Sequence, residues 1–541
     1  MRIRFAVALL LLSFAASAEP PAWNAVRPDA IRSHVEFLAS DLLEGRGAAT
    51  RGYDLAAAYL AAQFRQYGLK PGGDEDSYFQ AVPLIEATPV LPGSSASLVI
   101  DGNTVEFEYG TDYLPSADYL SASSTLTAPI VFAGFGIEAP ELGFNDFENI
   151  DVKGRIALII SGAPAKFPND QRAYYSSGLR KFTTLSEKGA VGVVIIASLV
   201  DSKRYPWERI VAMSWSPQMR WLDEEGNPQD AYPELKLRFR FNHEAATKLF
   251  EQGPASLDEV LAKADAGEPQ GFELPGMLTL SATTGLRRTE SANVLGILEG
   301  SDPKLKSEHI VVTAHLDHLG RGSSVDGDTI YNGAHDNAVG VSILLELARA
   351  LHATRARPQR SIVFVGLTAE EKGLLGSAYL AKTALDREQT LVANLNIDMP
   401  LTFTRTYDFI AIGAEHSTLG TVARNAAGAM GYRLSPDPNP EEVAFVRSDQ
   451  FSFVRYGIPG LVINAGHQPR DATIDLDAIH REFLQRHYHQ PSDDTSRPID
   501  YDAAADLARL YLRILMETAN GPRPRWRRGD FFAEKFASPG S

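Results

Sequence analysis

Residues 310–317, IVVTAHLD, run from a short apolar segment directly into a histidine and an aspartate. Two later segments have the same form: SIVFVGLTAEE at 361–371 ends in two glutamates, and LVANLNID at 391–398 ends in an aspartate. Short apolar runs bounded by polar residues are typical of strands buried on both faces of a parallel sheet. Because open α/β sheets bind ligands at the carboxyl ends of their strands, these polar residues indicate a functional site.

Helix-like stretches separate the strand-like runs, for example at 339–352 and 501–517. This alternation over residues 286–520 predicts an α/β fold with a mixed, mostly parallel sheet and helices on both faces. Residues 19–124 are assigned to the N-terminal part of the same domain. Residues 125–285 contain several short strand-like runs and predict an inserted, β-rich domain.

The chain ends and one internal stretch are predicted to lie outside these elements. Residues 1–18 have a basic start, an apolar core and a final Ala-Ser-Ala, which predicts a cleaved signal peptide and export to the periplasm or the medium. The apolar core is too short to cross a bilayer, which takes ~20 residues, and we expect no stable membrane span. The polar stretch 201–230 is predicted to be irregular, and the basic C-terminal tail, 521–541, to be solvated.

Composition excludes several functions. The 541 residues carry a net charge of −16, so phosphate backbones would be repelled and no nucleic-acid partner is expected. The chain has no cysteine, which excludes disulfides, thiol nucleophiles and thiolate metal sites. Any metal must therefore be held by histidine, aspartate and glutamate. We also find no nucleophile elbow, P-loop or dinucleotide-binding fingerprint.

Five candidate ligands follow the strands or lie in nearby turns: His315, Asp336, Glu371, Asp398 and His489. Each of them alone has an ordinary explanation; an aspartate near a helix start, for instance, is typical of a helix cap. Their joint occurrence favours a metal site. Five such ligands with one shared carboxylate suit two divalent ions ~3.5–4 Å apart.

Two neighbouring carboxylates have predicted supporting roles. Adjacent residues at a strand end project in different directions, so Glu371 can bind a metal while Glu370 reaches the water as a general base. Asp317 is predicted to fix the tautomer of His315 as its hydrogen-bond partner.

Five motifs in order resemble the two-zinc exopeptidases of peptidase family 28, which include secreted bacterial aminopeptidases and glutamate carboxypeptidase. The motifs are AHLDHLG (314–320), GAHDNAVG (333–340), AEEKGLLGS (369–377), NIDM (396–399) and YHQPSD (488–493). The resemblance extends over about residues 28–520. It includes an insert similar to a protease-associated domain through FAGFGIEAPELGFNDFENIDVKGRIALI at 132–159.

The resemblance implies a role for each ligand. His315 and Asp398 would serve one zinc ion and Glu371 and His489 the other, with Asp336 bridging them. Glu370 would be the general base. Zinc is the expected metal, and cobalt or manganese could replace it.

Further residues near the motifs are predicted to contact the substrate: Tyr488, Asn337, Ser448 and Asp449.

Three functions are compatible with these residues. The preferred one is an aminopeptidase that acts on peptides with a free N-terminus. The second keeps the metal site but is a carboxypeptidase or another amidohydrolase, which would need guanidinium groups for a substrate carboxylate. Arg321, Arg447 and Arg455 are the candidates for that role. The third is a non-catalytic binding protein on a peptidase scaffold, as the resemblance to transferrin-receptor ectodomains allows.

Overall fold

A computed structural model describes residues 21–214, 216–387 and 389–537. The predicted signal peptide, residues 1–18, lies outside the described residues. Within the described ranges, none of the helices combines the length and the apolar character needed to cross a bilayer.

The strands are numbered in chain order. They are β1 (Lys70–Pro71), β2 (Phe79–Ile100), β3 (Asn103–Phe107), β4 (Tyr113–Pro115), β5 (Ser123–Phe132), β6 (Glu138–Ala139), β7 (Phe144–Asn145), β8 (Ile156–Ile160), β9 (Gly192–Ile196), β10 (Gln218–Trp221), β11 (Leu237–Phe241), β12 (Phe272–Leu298), β13 (Glu308–His315), β14 (Gly320–Val325), β15 (Asp328–Tyr331), β16 (Ser361–Leu367), β17 (Thr390–Asn396), β18 (Asp408–Ile412), β19 (Arg433–Ser435) and β20 (Gly460–Ala465).

The α-helices are numbered in the same way. They are α1 (Pro28–Leu38), α2 (Arg51–Gln66), α3 (Asn169–Ser176), α4 (Gly178–Glu187), α5 (Leu199–Arg204), α6 (Trp207–Met213), α7 (His243–Phe250), α8 (Leu257–Asp265), α9 (Val339–Ala353), α10 (Leu375–Asp386), α11 (Leu419–Ala429), α12 (Gln450–Val454), α13 (Leu476–Arg486), α14 (Tyr501–Asn520) and α15 (Phe531–Phe536).

The C-terminal part of the chain forms a mixed sheet in the order β19-β18-β20-β17-β13-β16-β12. Its central strands β20, β17, β13 and β16 run parallel, whereas β18 pairs antiparallel with β20 and β12 pairs antiparallel with β16. The edge strand β19 is parallel to β18. The predicted fold class is confirmed. The strand ends also agree closely with the apolar runs of the sequence. In the segment quoted at 361–371, for example, the apolar run 361–367 has the same first and last residues as β16.

Alternate residues of each central strand pack against helices on opposite faces. In β13, Ile310 and Val312 lie in the core that includes α9 and α14. Val311 points to the other face, where it packs in a smaller cluster with Leu380 of α10 and Phe453 of α12. Full burial of each such side chain stabilises the fold by roughly 1.5–3 kcal/mol. The continuous apolar runs read from the sequence are therefore strands with two buried faces.

A long antiparallel ribbon of β2 and β12 joins this sheet to the segment predicted as an insert. One end of β12 pairs with β16, and its other end pairs with β5. Beyond β5, the parallel strands β8, β9 and β11 continue the sheet, and α3 to α8 lie in the same segment. The division at residues 124 and 285 stays a prediction; β12 runs across the second of these positions.

One expectation about irregular segments is wrong, and another holds only in part. Residues 201–230 contain most of α5, all of α6, and β10, which pairs with β2. Both helices are short and have no buried residue, so their sequence lacks the apolar periodicity that would have predicted them. The C-terminal tail is solvated only in part. Its arginines Arg523, Arg525, Arg527 and Arg528 are exposed, but Phe531 and Phe532 are buried and Trp526 Nε1 donates a hydrogen bond to the carbonyl of Gly457.

The packed tail gives a stability prediction. The Phe532 side chain is fully buried and contacts the rings of Phe445 and Phe451. We expect Phe532→Ala to cost about 3–5 kcal/mol, because it leaves a cavity as well as losing apolar contacts. The midpoint of urea unfolding measures the loss. Arg528→Ala, at an exposed position nearby, is the control, and equal midpoints for the two variants would contradict the packing.

Candidate metal centre

Asp336 lies at the centre of a buried group of histidines and carboxylates. It precedes α9, and its two oxygens face two different histidines. Oδ1 is 3.1 Å from His315 Nε2, and Oδ2 is 3.3 Å from His489 Nε2. This is the arrangement expected of a carboxylate shared between two cations.

The first ligand pair comes from neighbouring parallel strands. His315 is the last residue of β13, and Asp398 follows β17, so both stand at the same edge of the sheet. His315 Nε2 lies 3.1 Å from Asp398 Oδ1. The other oxygen of Asp398 accepts a hydrogen bond from Ser448 Oγ at 2.5 Å, which fixes the carboxylate from behind.

The second group lies across Asp336. His489 lies in the turn that follows α13, and its Nε2 is 3.1 Å from Glu371 Oε2. His318 Nδ1 is 2.7 Å from Glu371 Oε1, outside hydrogen-bond geometry. His318 is a further potential ligand on this side, in the same motif as His315.

Asp317 differs from its prediction. The tautomer of His315 is set by the backbone carbonyl of Asp317, 3.1 Å from Nδ1, and not by its carboxylate. The carboxylate turns the other way and accepts the backbone N–H groups of Glu370 at 3.1 Å and Glu371 at 3.3 Å. Asp317 therefore positions the glutamate pair through its main chain.

The charges of this group fit divalent cations. Asp336, Glu370, Glu371 and Asp398 place four carboxylates around two or three imidazoles, and a buried excess of negative charge is costly unless a cation offsets it. Burial acts to raise the pKa of Asp336, but hydrogen bonds from His315 and His489 outweigh it and hold that pKa well below its usual range. Both imidazoles and carboxylates are ligands that zinc accepts. The residues present therefore fit a zinc centre.

Glu370 stands in a different environment from its neighbour. Burial raises the pKa of Glu370 well above its usual range, whereas His489 and His318 offset burial and lower the pKa of Glu371 to about 2. Two adjacent carboxylates with pKa values pushed apart suit two different roles.

The four predicted substrate contacts divide into two pairs. Tyr488 and Ser448 line a cavity of about 620 Å³ that opens onto His315, Glu370 and His489. Asn337 and Asp449 are fully buried and do not line it.

The prediction that Asn337 contacts the substrate is therefore wrong. Its amide donates to the carbonyl of Ile397 at 2.9 Å and accepts the N–H groups of Gly340 and Met399. The bonds to Ile397 and Met399 fix the backbone on both sides of Asp398. Gly340 is required here, because a Cβ at that position would lie 2.1 Å from Asn337 Oδ1.

Sequence reasoning missed two positioning residues, Arg46 and Asp493. Arg46 is buried and donates to the carbonyls of Leu316, Asn332 and Gly333, which flank His315 and Asp336; it also donates to the carbonyl of Leu38. It lies in the stretch LEGRG, where a glycine-flanked arginine was the available signal.

Asp493 closes the motif YHQPSD. Its oxygens accept the backbone N–H groups of His335 at 2.9 Å and Asp336 at 3.1 Å. Burial raises its pKa to about 7. The motif therefore supplies both a candidate ligand, His489, and a hydrogen-bond acceptor that fixes the backbone of Asp336.

The segment between β9 and β11 forms one wall of the cavity. Lys203, Arg204, Tyr205 and Arg209, in and between α5 and α6, line the same cavity as the candidate ligands. Arg447 lines the same cavity, whereas Arg321 and Arg455 do not.

The fold and the site define a class: an α/β protein with a histidine and carboxylate metal centre at the carboxyl edge of its sheet. Residues 293–515 match the family model of peptidase family M28, and the chain contains a domain of this family. Every candidate ligand lies within that segment.

Similar proteins agree with this family. A probable zinc metalloprotease of Pyricularia oryzae is 35% identical over 25% of this chain and 26% of its own length. An aminopeptidase of Pseudomonas aeruginosa is 24% identical over 65% of this chain and 53% of its own length. Both matches span less than two thirds of the relative.

A solved structure extends the similarity to almost the whole chain. The aminopeptidase from Aneurinibacillus sp. strain AM-1 has a TM-score of 0.54 at 18% identity, over 93% of this chain and 96% of that one. The two proteins share the fold.

The Asp317 hydrogen bonds give a prediction. Asp317→Asn keeps the shape of the side chain but leaves one backbone N–H of the glutamate pair without an acceptor. We expect zinc affinity, measured by competition with a chelator, to fall about 10–100-fold. Asp223→Asn, in an exposed turn, is the matched control. Unchanged affinity in Asp317→Asn would contradict the positioning role.

Proposed function

We propose that the chain is an exported zinc aminopeptidase that removes N-terminal residues from peptides, with two zinc ions and Glu370 as general base. The observation that carries the proposal is the position of Asp336, whose two oxygens face His315 and His489 separately. The basic and apolar pattern of residues 1–18 supports export.

The residues divide the work as follows. His315 and Asp398 would hold one ion and His489 and Glu371 the other, and Asp336 would be the carboxylate available to both. When bound, zinc supplies the Lewis acidity that polarises the scissile carbonyl and activates the attacking water.

Glu370 moves the proton. It lines the cavity, and Asp317 holds its backbone. Its carboxylate accepts a proton from the attacking water and returns it to the departing amine. A pKa raised by burial favours this role, since the group must both take up and release a proton near neutral pH.

The carboxylates of the cavity favour the substrate's amino terminus. Glu370 and Asp398 line the cavity, and their negative charge attracts a cationic group. A non-catalytic scaffold is disfavoured, because the five ligands and the glutamate base are all present.

One observation favours the second candidate, a carboxypeptidase. Arg209 and Arg447 line the same cavity, and neither forms an ion pair among the described residues. Arg209 donates a hydrogen bond to the carbonyl of Tyr488, next to His489. Guanidinium groups in that position could bind a substrate carboxylate.

Exchange of Glu370 tests the mechanism. We expect Glu370→Gln to retain zinc, because this side chain is not a ligand, and to lose nearly all turnover, because an amide cannot accept the proton. Metal analysis and hydrolysis of an aminoacyl-nitroanilide measure the two effects. Glu371→Gln is the contrasting variant and should lose zinc as well as activity. Retained activity in Glu370→Gln would show that the base is another residue.

Blocked substrates separate the two candidates. An aminopeptidase should hydrolyse leucyl-nitroanilide and leave its N-acetyl derivative intact, and a chelator should abolish the activity. A carboxypeptidase should instead cleave N-acetylated dipeptides with a free carboxylate. In that case Arg447→Ala should raise KM for these dipeptides but not for their amides. Hydrolysis of both blocked and free substrates at equal rates would contradict the aminopeptidase.

A further inference from the structure

His416 lies outside the candidate metal centre, in the loop between β18 and α11. Its side chain is 1% exposed, and its ring packs against Phe445 and Phe532. Nδ1 lies 2.8 Å from Asp530 Oδ2. When Nδ1 donates to this carboxylate, the lone pair of the neutral ring is on Nε2.

Nε2 of His416 has no hydrogen-bond partner, although it is buried. Two carboxylate oxygens face it: Asp170 Oδ1 at 3.9 Å and Glu415 Oε1 at 3.6 Å. These separations exceed a hydrogen bond, yet two ligands ~2.0–2.2 Å from one ion can be this far apart.

The charges around His416 are unbalanced. Asp170, Glu415 and Asp530 bring three carboxylates to one imidazole, so even a protonated ring would leave a net negative charge. Arg424 and Arg527 line the adjacent cavity of about 850 Å³, but within the described ranges neither pairs with these carboxylates. A divalent cation would offset more of the charge than a proton does.

We propose that His416, Asp170 and Glu415 bind a divalent transition-metal ion such as zinc, separate from the candidate metal centre. Asp530 orients the imidazole, as carboxylates do for metal-bound histidines. The adjacent cavity leaves room for water as a further ligand. One histidine with two carboxylates is a donor set suited to zinc and manganese.

The ion would connect three segments that are distant in sequence. Asp170 lies in α3, Glu415 and His416 lie after β18, and Asp530 precedes α15. The ion would therefore link the predicted insert to the C-terminal part of the chain.

Zinc stoichiometry tests the proposal. The full chain, stripped with a chelator and dialysed, is titrated with zinc in a calorimeter alongside the double variant Asp170→Asn/Glu415→Gln. We expect wild type to bind one more equivalent of zinc than the double variant. We also expect zinc to raise the thermal midpoint of wild type more than that of the double variant. Leucyl-nitroanilide hydrolysis should be retained, because neither residue lines the catalytic cavity. Asp437→Asn, which changes another carboxylate of the adjacent cavity, is the matched control and should keep the extra equivalent.

Two outcomes would overturn the proposal. One is equal zinc stoichiometry in wild type and the double variant. The other is a loss of thermal stability in His416→Gln that is the same with and without zinc, which would identify a protonated imidazole held by the carboxylates. Should the double variant fail to fold, Glu415→Gln alone serves, since that side chain is 65% exposed. It should lose the extra equivalent, and its retention would also overturn the proposal.

Discussion

One shared carboxylate constrains the whole site. Asp336 must present one oxygen to His315 and the other to His489, two residues that lie far apart in the chain. A small rotation of its side chain would separate the two halves of the centre. The protein prevents this from both sides: Asp493 binds the backbone of Asp336, and Arg46 binds the carbonyls just before it.

The parallel sheet delivers the remaining groups to the same edge. β16 and β17 pair in parallel with the two sides of β13, so the residues that follow the three strands emerge at the same edge. A chain of hydrogen bonds runs from Thr313 through Asn396 and Ser448 to Asp398. It fixes the Asp398 carboxylate relative to the strands of the sheet. The apolar runs thus form the strands that bring the polar residues after them together.

Sequence reasoning found what has a local signature and missed what depends on distant backbone. Strand β16 could be predicted from continuous hydrophobicity, and the candidate ligands from their places after strands or in nearby turns. Arg46 had no comparable signature, because three of its four partners are main-chain carbonyls about 270 to 290 positions away. Asn337 was misassigned for the same reason: an amide beside a ligand looks like a substrate contact until its hydrogen bonds to Ile397 and Gly340 are seen.

The wall formed by α5 and α6 has a consequence for what can reach the site. A recess of about 620 Å³, closed on one side by these helices, has room for a loose chain end but not for the surface of a folded domain. A peptidase with such a recess would act on short or unfolded peptides rather than on folded proteins.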